Sequence, residues 1–155
     1  MTPVAWPRRF LARIVGASLL SSQTYESVAK DRTAFADGAV ILALACAASG
    51  VGAIGLSIEE LNGGAGPVFV SGFLSNLMTW GLWTFAAIVV AALFVQIMPE
   101  THVLLGFLRT SLLAQAPVLF RVLGLVPVFD QWAIILILAW QFAAMTVAVR
   151  QGFGF

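Results

Sequence analysis

Charge is what this chain has least of. Only 10% of its 155 residues are Asp, Glu, Lys or Arg, against 61% that are hydrophobic, where a water-soluble domain carries about 25% charged residues. Eight basic and seven acidic groups leave a net charge of +1, which excludes a basic field that would gather nucleic acid and an acidic tail. One cysteine and one histidine provide neither an intrachain disulfide nor the three or four soft ligands of a zinc, haem or iron–sulfur site. No cofactor or metal is expected. Also missing are a nucleophile beside a base, paired carboxylates on one helix face and a phosphate-cradling glycine loop. Glu59-Glu60 is a pair in sequence only, because adjacent helical residues point apart. Asn62-Gly63-Gly64-Ala65-Gly66 lacks the lysine such a loop needs. The expectation is an all-α integral membrane protein that is not an enzyme.

What the chain has in quantity is uncharged sequence. A helix crossing about 30 Å of hydrocarbon needs roughly 20 apolar residues, and four stretches qualify. Gly38 to Ser57 is the first expected span. Val68 to Met98 holds no charge and would reach about 46 Å as one helix, so the second span, placed over 70–98, must tilt, kink or begin with an interfacial piece. The third, over 103–122, contains Arg109, Gln115 and Pro117. Arg109 lies close enough to one end to snorkel, and Pro117 removes a helical hydrogen bond, which predicts a kink in the outer half. Gly124, Pro127 and Asp130 make a turn into the fourth span, over 131–150, with Trp132 as an interfacial anchor and Arg150 closing the other end.

Residues 1–36 read as a cytoplasmic segment retained in the protein rather than a cleaved signal peptide. Phe10, Leu11, Ile14 and Val15 share one arc of a helical wheel, and Arg9, Arg13 and Gly16 the opposite one, the pattern of an amphipathic helix lying on the membrane surface. A second short helix is expected from Thr24 to Arg32, with Thr24 as N-cap and a Glu26–Lys30 pair one turn apart. Asp31 or Thr33 then caps the helix leading into the first span. With four spans, seven of the eight basic residues fall on one side, leaving Arg121 alone on the other beside Glu59, Glu60 and Asp130. The positive-inside rule then makes both termini cytoplasmic.

Ionisable and amide residues inside a bilayer are candidates for function by default. Here they are Asn76, Gln96, Arg109, Gln115 and Gln141. Arg109 is expected to pair with Glu100, either as a contact for an anionic lipid headgroup or as a snorkelling residue that sets helix depth; Arg9 and Arg13 are the other candidate contacts for lipid or a partner. Asn76 and Gln115 should lie at similar depth and join helices by amide hydrogen bonds. Small residues mark packing faces: Ala39, Ala43 and Ala47, with Cys46 and Gly50 beside them, and in the last span Ala139 with Ala143 and Ala144 with Ala148. Such faces can meet the chain's own helices or another membrane subunit. Cys46 reads as a small packing residue and His102 as a turn residue whose functional alternative is a lone axial ligand.

Three stretches resemble the bacterial branch of the Yip (Ypt-interacting protein) domain family. They are Tyr25-Glu26-Ser27-Val28-Ala29-Lys30-Asp31, the run from Leu108-Arg109-Thr110 through Ala116-Pro117 to Gly124-Leu125-Val126-Pro127, and Ala139-Trp140 running to Ala148-Val149-Arg150-Gln151. The resemblance implies a polytopic protein with a cytoplasmic N-terminus and no catalytic residues. Eukaryotic members act in vesicle traffic with Rab-type GTPases, but their Asp-Leu-Tyr-Gly-Pro type box is not found here, so that partnership is not carried over. The family pattern also continues into a fifth helix where this chain ends, so the face it would cover is expected to meet lipid, a second copy or another protein. The function expected is that of an accessory or scaffolding subunit of a larger membrane complex, the alternative being a stand-alone Yip-like membrane-organising or lipid-handling protein.

Overall fold

The computed structural model describes residues 5–57, 64–94, 100–126 and 131–154. Helices form in the order α1 (Ala5–Ser18), α2 (Ser22–Lys30), α3 (Ala34–Leu56), α4 (Ala65–Phe94), α5 (Thr101–Leu113), a 3-10 helix (Ala116–Leu125) and α6 (Gln131–Phe153). No strand occurs among the described residues. Four stretches are long and apolar enough to cross a bilayer: α3, α4, α5 continued into the 3-10 helix, and α6. The chain is a multi-pass, all-helical membrane protein.

The helix bounds depart from the sequence reading for local reasons. α3 begins at Ala34, so Asp37 falls in its first turn, where an acid complements the positive end of the helix dipole. α4 begins at Ala65 and takes Pro67 into its first turn, where the missing N–H has no helical partner to lose. Its 30 residues form one helix of about 45 Å, longer than the hydrocarbon is thick, without the break or interfacial piece that was an alternative to tilting. α2 starts at Ser22, two residues ahead of the expected cap, and Ser21 occupies the N-cap position. The Glu26–Lys30 pair forms at 2.6 Å on its exposed face. Asp31 follows α2, and its Oδ1 accepts from both the backbone N–H and the hydroxyl of Thr33 at 2.8 Å, tying down the turn into α3.

The third crossing is not a kinked α-helix. α5 stops at Leu113, and after Ala114 and Gln115 the chain continues as a ten-residue 3-10 helix with Pro117 at its start. A proline in the middle of an α-helix clashes with the carbonyl four residues back; here that cost is avoided because the helix changes type just before it. This broken element is the most enclosed of the four, with α3 packed along its 3-10 half and α6 along its α half.

The close contact between α3 and the 3-10 helix depends on glycine. A Cβ on Gly52 would stand 2.3 Å from the Arg121 carbonyl oxygen, and one on Gly55 would stand 2.2 Å from that of Gly124. α4 approaches the other side of α3 at Gly50 and Gly72, where a Cβ on Gly72 would lie 2.7 Å from the Ser49 carbonyl. Interfaces between membrane helices gain their energy from van der Waals contact rather than from expelling water, so closeness of backbones is what holds this bundle together.

α1 and α2 form a hairpin wedged into the bundle. Their connection closes with the Ser21 N–H on Gly16 O and the Leu20 N–H on Ala17 O, a Schellman cap. Leu20 takes the left-handed position at φ 56° that glycine normally fills. That strain of about 1–3 kcal/mol is accepted where the leucine side chain packs on the core. Ala17, Tyr25 and Val28 are sealed against Leu113, Ala114, Ala116, Ala144 and Ala148. Burial pushes the Tyr25 phenol far above its usual range, while its hydroxyl reaches the Ala17 carbonyl at 3.4 Å.

Candidate functional site

The inward face of α1 is the arginine face. Arg13 is buried and its guanidinium binds both Asp31 and Asp37; Arg9 stands 3.6 Å from Asp37, and Trp6 Nε1 donates to the same carboxylate at 3.0 Å. Phe10 and Ile14 turn inward beside them, whereas Leu11, Val15 and Leu19 are exposed. The two arcs of the wheel are therefore not the two faces of the helix: the arc holding Arg9 and Arg13 points into the chain, and the apolar arc divides, Phe10 and Ile14 packing inward while Leu11 and Val15 stay exposed. The network joins the start of α3 to the α1–α2 hairpin, here called the arm, since an uncompensated Asp37 at 2% exposure would be far too costly. Arg13 is therefore bound within the chain, whereas Arg9 keeps a third of its side chain exposed.

Arg109 is likewise engaged internally. Its Nη1 donates to the Ala29 carbonyl at 2.9 Å, at the C-terminal end of α2, where unsatisfied carbonyls and the negative end of the helix dipole favour a cation. The expected pair with Glu100 does not form. Glu100, the N-cap of α5, instead lies 3.1 Å from His102, which the structure places in the exposed first turn of that helix rather than in a loop. Sequence reasoning paired charge with charge and missed a backbone acceptor eighty residues away.

The buried amides behave as the depth argument required. Gln115, in the break between α5 and the 3-10 helix, accepts through Oε1 from Gln141 Nε2 at 3.0 Å and more weakly from Asn76 Nδ2 at 3.4 Å; Asn76 also reaches Cys46 Sγ at 3.5 Å. Side chains from α3, α4, α6 and the break thus meet in mid-bundle. Cys46 is buried within this packing. Gln96, Glu59, Glu60, Asn62 and Asp130 lie outside the described residues. Each interhelical hydrogen bond in a membrane is worth about 0.6 kcal/mol, so Gln115→Leu is expected to lower stability by about 1 kcal/mol in a detergent unfolding titration. Gln115→Glu, which keeps an acceptor for Asn76 and Gln141, should recover part of a bond energy but add a desolvation cost.

The small-residue faces are only partly where spacing placed them. On α3, Cys46 and Gly50 are buried, with Phe69 filling the space a Gly50 side chain would need, but Ala39 and Ala43 are exposed and Ala47 is half-buried. On α6, Ala144 and Ala148 are fully buried while Ala139 is exposed and Ala143 half-buried. Four-residue spacing identifies a stripe but not which of two adjacent stripes faces the neighbour. Pro117 is buried at the start of the 3-10 helix.

A groove runs between α4 and α6. α4 packs on α3, and α6 packs on α5 and the 3-10 helix, so these two helices meet chiefly through side chains such as Trp83 against Phe142, with ring centroids 5.4 Å apart. Near the start of α6, where α3 and the 3-10 helix form the opposite wall and Ile134 is the contact from α6, a cavity of about 570 Å³ is lined by Ser49, Ser57, Ser71, Ser75, Gly72 and Arg121. Arg121 Nη1 donates to Ser49 Oγ at 3.3 Å, while its Nε is shut off from solvent with no hydrogen-bond partner. Farther along, a cavity of about 400 Å³ lies between Thr79, Leu138 and the Gln115–Gln141 pair. An apolar one of about 280 Å³ follows beside Trp83, Ala87, Val90, Met145 and Val149. Sequence reasoning passed over Arg121 as the lone cation of the outer side. That isolation was the available signal. No family model, curated protein or solved structure matches the chain, so the residues themselves carry the functional reading.

Proposed function

We propose that the protein is a non-catalytic accessory subunit of a larger bacterial inner-membrane complex, with both termini in the cytoplasm. The observation that carries this reading is the outward face of α2. Trp140 Nε1 donates to the Ser18 carbonyl at 2.7 Å, and Trp140 lies ten residues, about 15 Å, along α6 from Arg150. The other end of α2 lies against Gly106 and Arg109. The hairpin therefore descends along the flank of the bundle to about the depth of its middle. Yet Ser22, Gln23, Glu26, Ser27 and Lys30 all face outward. Ser27 donates to the Thr24 carbonyl at 2.8 Å and Glu26 pairs with Lys30, but an amide or hydroxyl left in hydrocarbon without a hydrogen-bond partner, as at Gln23 and Ser22, costs about 2–7 kcal/mol, so lipid is a poor neighbour for this face. A polar partner helix satisfies it, while the apolar face of α1 at Leu11, Val15 and Leu19 suits lipid.

Extraction from native membranes in a mild detergent is expected to give a complex containing a second integral membrane protein in fixed stoichiometry. Gln23→Leu with Ser27→Leu should release at least half of that partner while the freed chain stays helical. A lone species with a protein mass of 16.5 kDa overturns the subunit reading. The groove between α4 and α6 favours the second reading, a stand-alone Yip-like membrane-organising or lipid-handling protein.

A further inference from the structure

We propose that the groove between α4 and α6 binds one phospholipid, with its phosphate on Arg121 and one acyl chain running along the apolar end; this does not depend on the subunit reading. Exposed arginines such as Arg8, Arg32 and Arg150 sit at or outside the helix ends, where water reaches them. Arg121 does not. It belongs to a membrane-crossing element and bonds to Ser49, seven residues, about 10 Å, inside the end of α3. Among the described residues no carboxylate lies within ion-pair distance of it, although Arg9 and Arg13 both have one. A cation at such depth costs several kcal/mol unless an anion accompanies it. Guanidinium pairs with phosphate through parallel N–H bonds, and the unpartnered Nε together with the hydroxyls of Ser71 and Ser75 supplies further donors.

The remainder of the groove is graded as an amphiphile is. Ser71, Ser75, Thr79, Trp83 and Ala87 follow one another at four-residue intervals along α4, so they form one stripe. The stripe passes from hydroxyls, by way of the Trp83 indole where it meets Phe142 of α6, to the apolar side chain of Ala87. From Ser71 to Val90 it measures about 28 Å, room for a headgroup and an extended chain. An inorganic anion would use only the cationic end.

The test is native mass spectrometry and thermal unfolding of the full chain, purified, stripped of lipid, and titrated with phosphatidylglycerol or with inorganic phosphate. The wild type should take up one phosphatidylglycerol and unfold at higher temperature with it. Arg121→Gln should bind it at least tenfold more weakly, and without lipid should be as stable as the wild type or more so, because the half-buried cation with its enclosed Nε is gone. Arg121→Lys should keep part of the affinity. Ala87→Phe, which fills the apolar end and leaves Arg121 in place, should lower affinity for the lipid without altering any response to phosphate. Equal lipid uptake by Arg121→Gln and wild type overturns the proposal. So does inorganic phosphate matching the lipid in affinity, which would make the cationic end a free-anion site, or an Ala87→Phe variant that binds lipid as the wild type does.

Discussion

Arg13→Ala is expected to destabilise the protein by about 3–5 kcal/mol, the usual consequence of deleting one partner of a buried ion pair. Arg13 neutralises Asp37, which is almost wholly enclosed, and also reaches Asp31. After its removal Asp37 retains only the more distant Arg9 and the indole N–H of Trp6. Arg9→Ala should cost no more than about 1 kcal/mol, because its pair is longer and one-third exposed. The double change Arg13→Met with Asp37→Leu should restore much of the loss, since the charge left stranded by the single change is then absent. Reversible unfolding in detergent micelles, with limited trypsin cleavage of the arm as a local probe, would measure both. If Arg13→Ala unfolds like the wild type, the network does not anchor the arm. A pH series adds a signed check. Burial acts to raise the Asp31 carboxyl, but the backbone N–H and hydroxyl of Thr33, then Arg13, outweigh it and hold the group below its usual range. A carboxyl depressed in the folded state stabilises above its unfolded value, near pH 4, and that contribution is lost as pH falls through the lower folded value. Arg13→Ala should make that acid loss smaller.

The same residues show what the sequence carried and what it did not. Crossing number was legible because charge is so scarce that each charge-free run of bilayer length declares itself. The meeting of Asn76 with Gln115 was legible because an amide inside hydrocarbon has to find another polar group at its own depth. The direction in which α1 faces was not. A helical wheel separates Arg13 from Leu11 but cannot say that the carboxylates meeting Arg13 come from 18 and 24 residues downstream. Nor could Arg109 reveal that its acceptor is a main-chain oxygen, which every residue has and no side-chain pattern marks. Pro117 announced a disturbance, but whether the helix bends or changes type depends on how closely α3 lies behind it. That closeness is set by Gly52 and Gly55, two of several glycines in α3 that look equivalent in the sequence.

Gly52→Val or Gly55→Val is expected to abolish the folded bundle. The atoms a side chain would strike are backbone: the Arg121 carbonyl opposite Gly52, and the Gly124 carbonyl carbon and oxygen with the Leu125 Cα opposite Gly55. Neither rigid helix can rotate a group out of the way, so α3 and the 3-10 helix must separate along their length. Overpacking a close interface typically costs about 1–3 kcal/mol and occasionally more; collision with main chain on both sides puts Gly52→Ala near the upper end, and the valine variants beyond it. Gly81→Ala is the contrasting case. It lies in α4, and a methyl group there would meet nothing within 4 Å, so relief of glycine's helix penalty should leave stability unchanged or raise it by up to about 1 kcal/mol. The comparison is read from the yield of monodisperse protein after detergent extraction and from unfolding midpoints of the variants that survive. If Gly52→Val remains folded with an unshifted midpoint, the 3-10 helix does not rest on α3 at backbone contact. Because the Arg121 carbonyl is the first atom displaced, intermediate variants such as Gly52→Ala should also weaken phosphatidylglycerol binding. Damage to the helix interface and to the groove would then rise together, as expected if the element that breaks at Gln115 is also what holds the guanidinium beside Ser49.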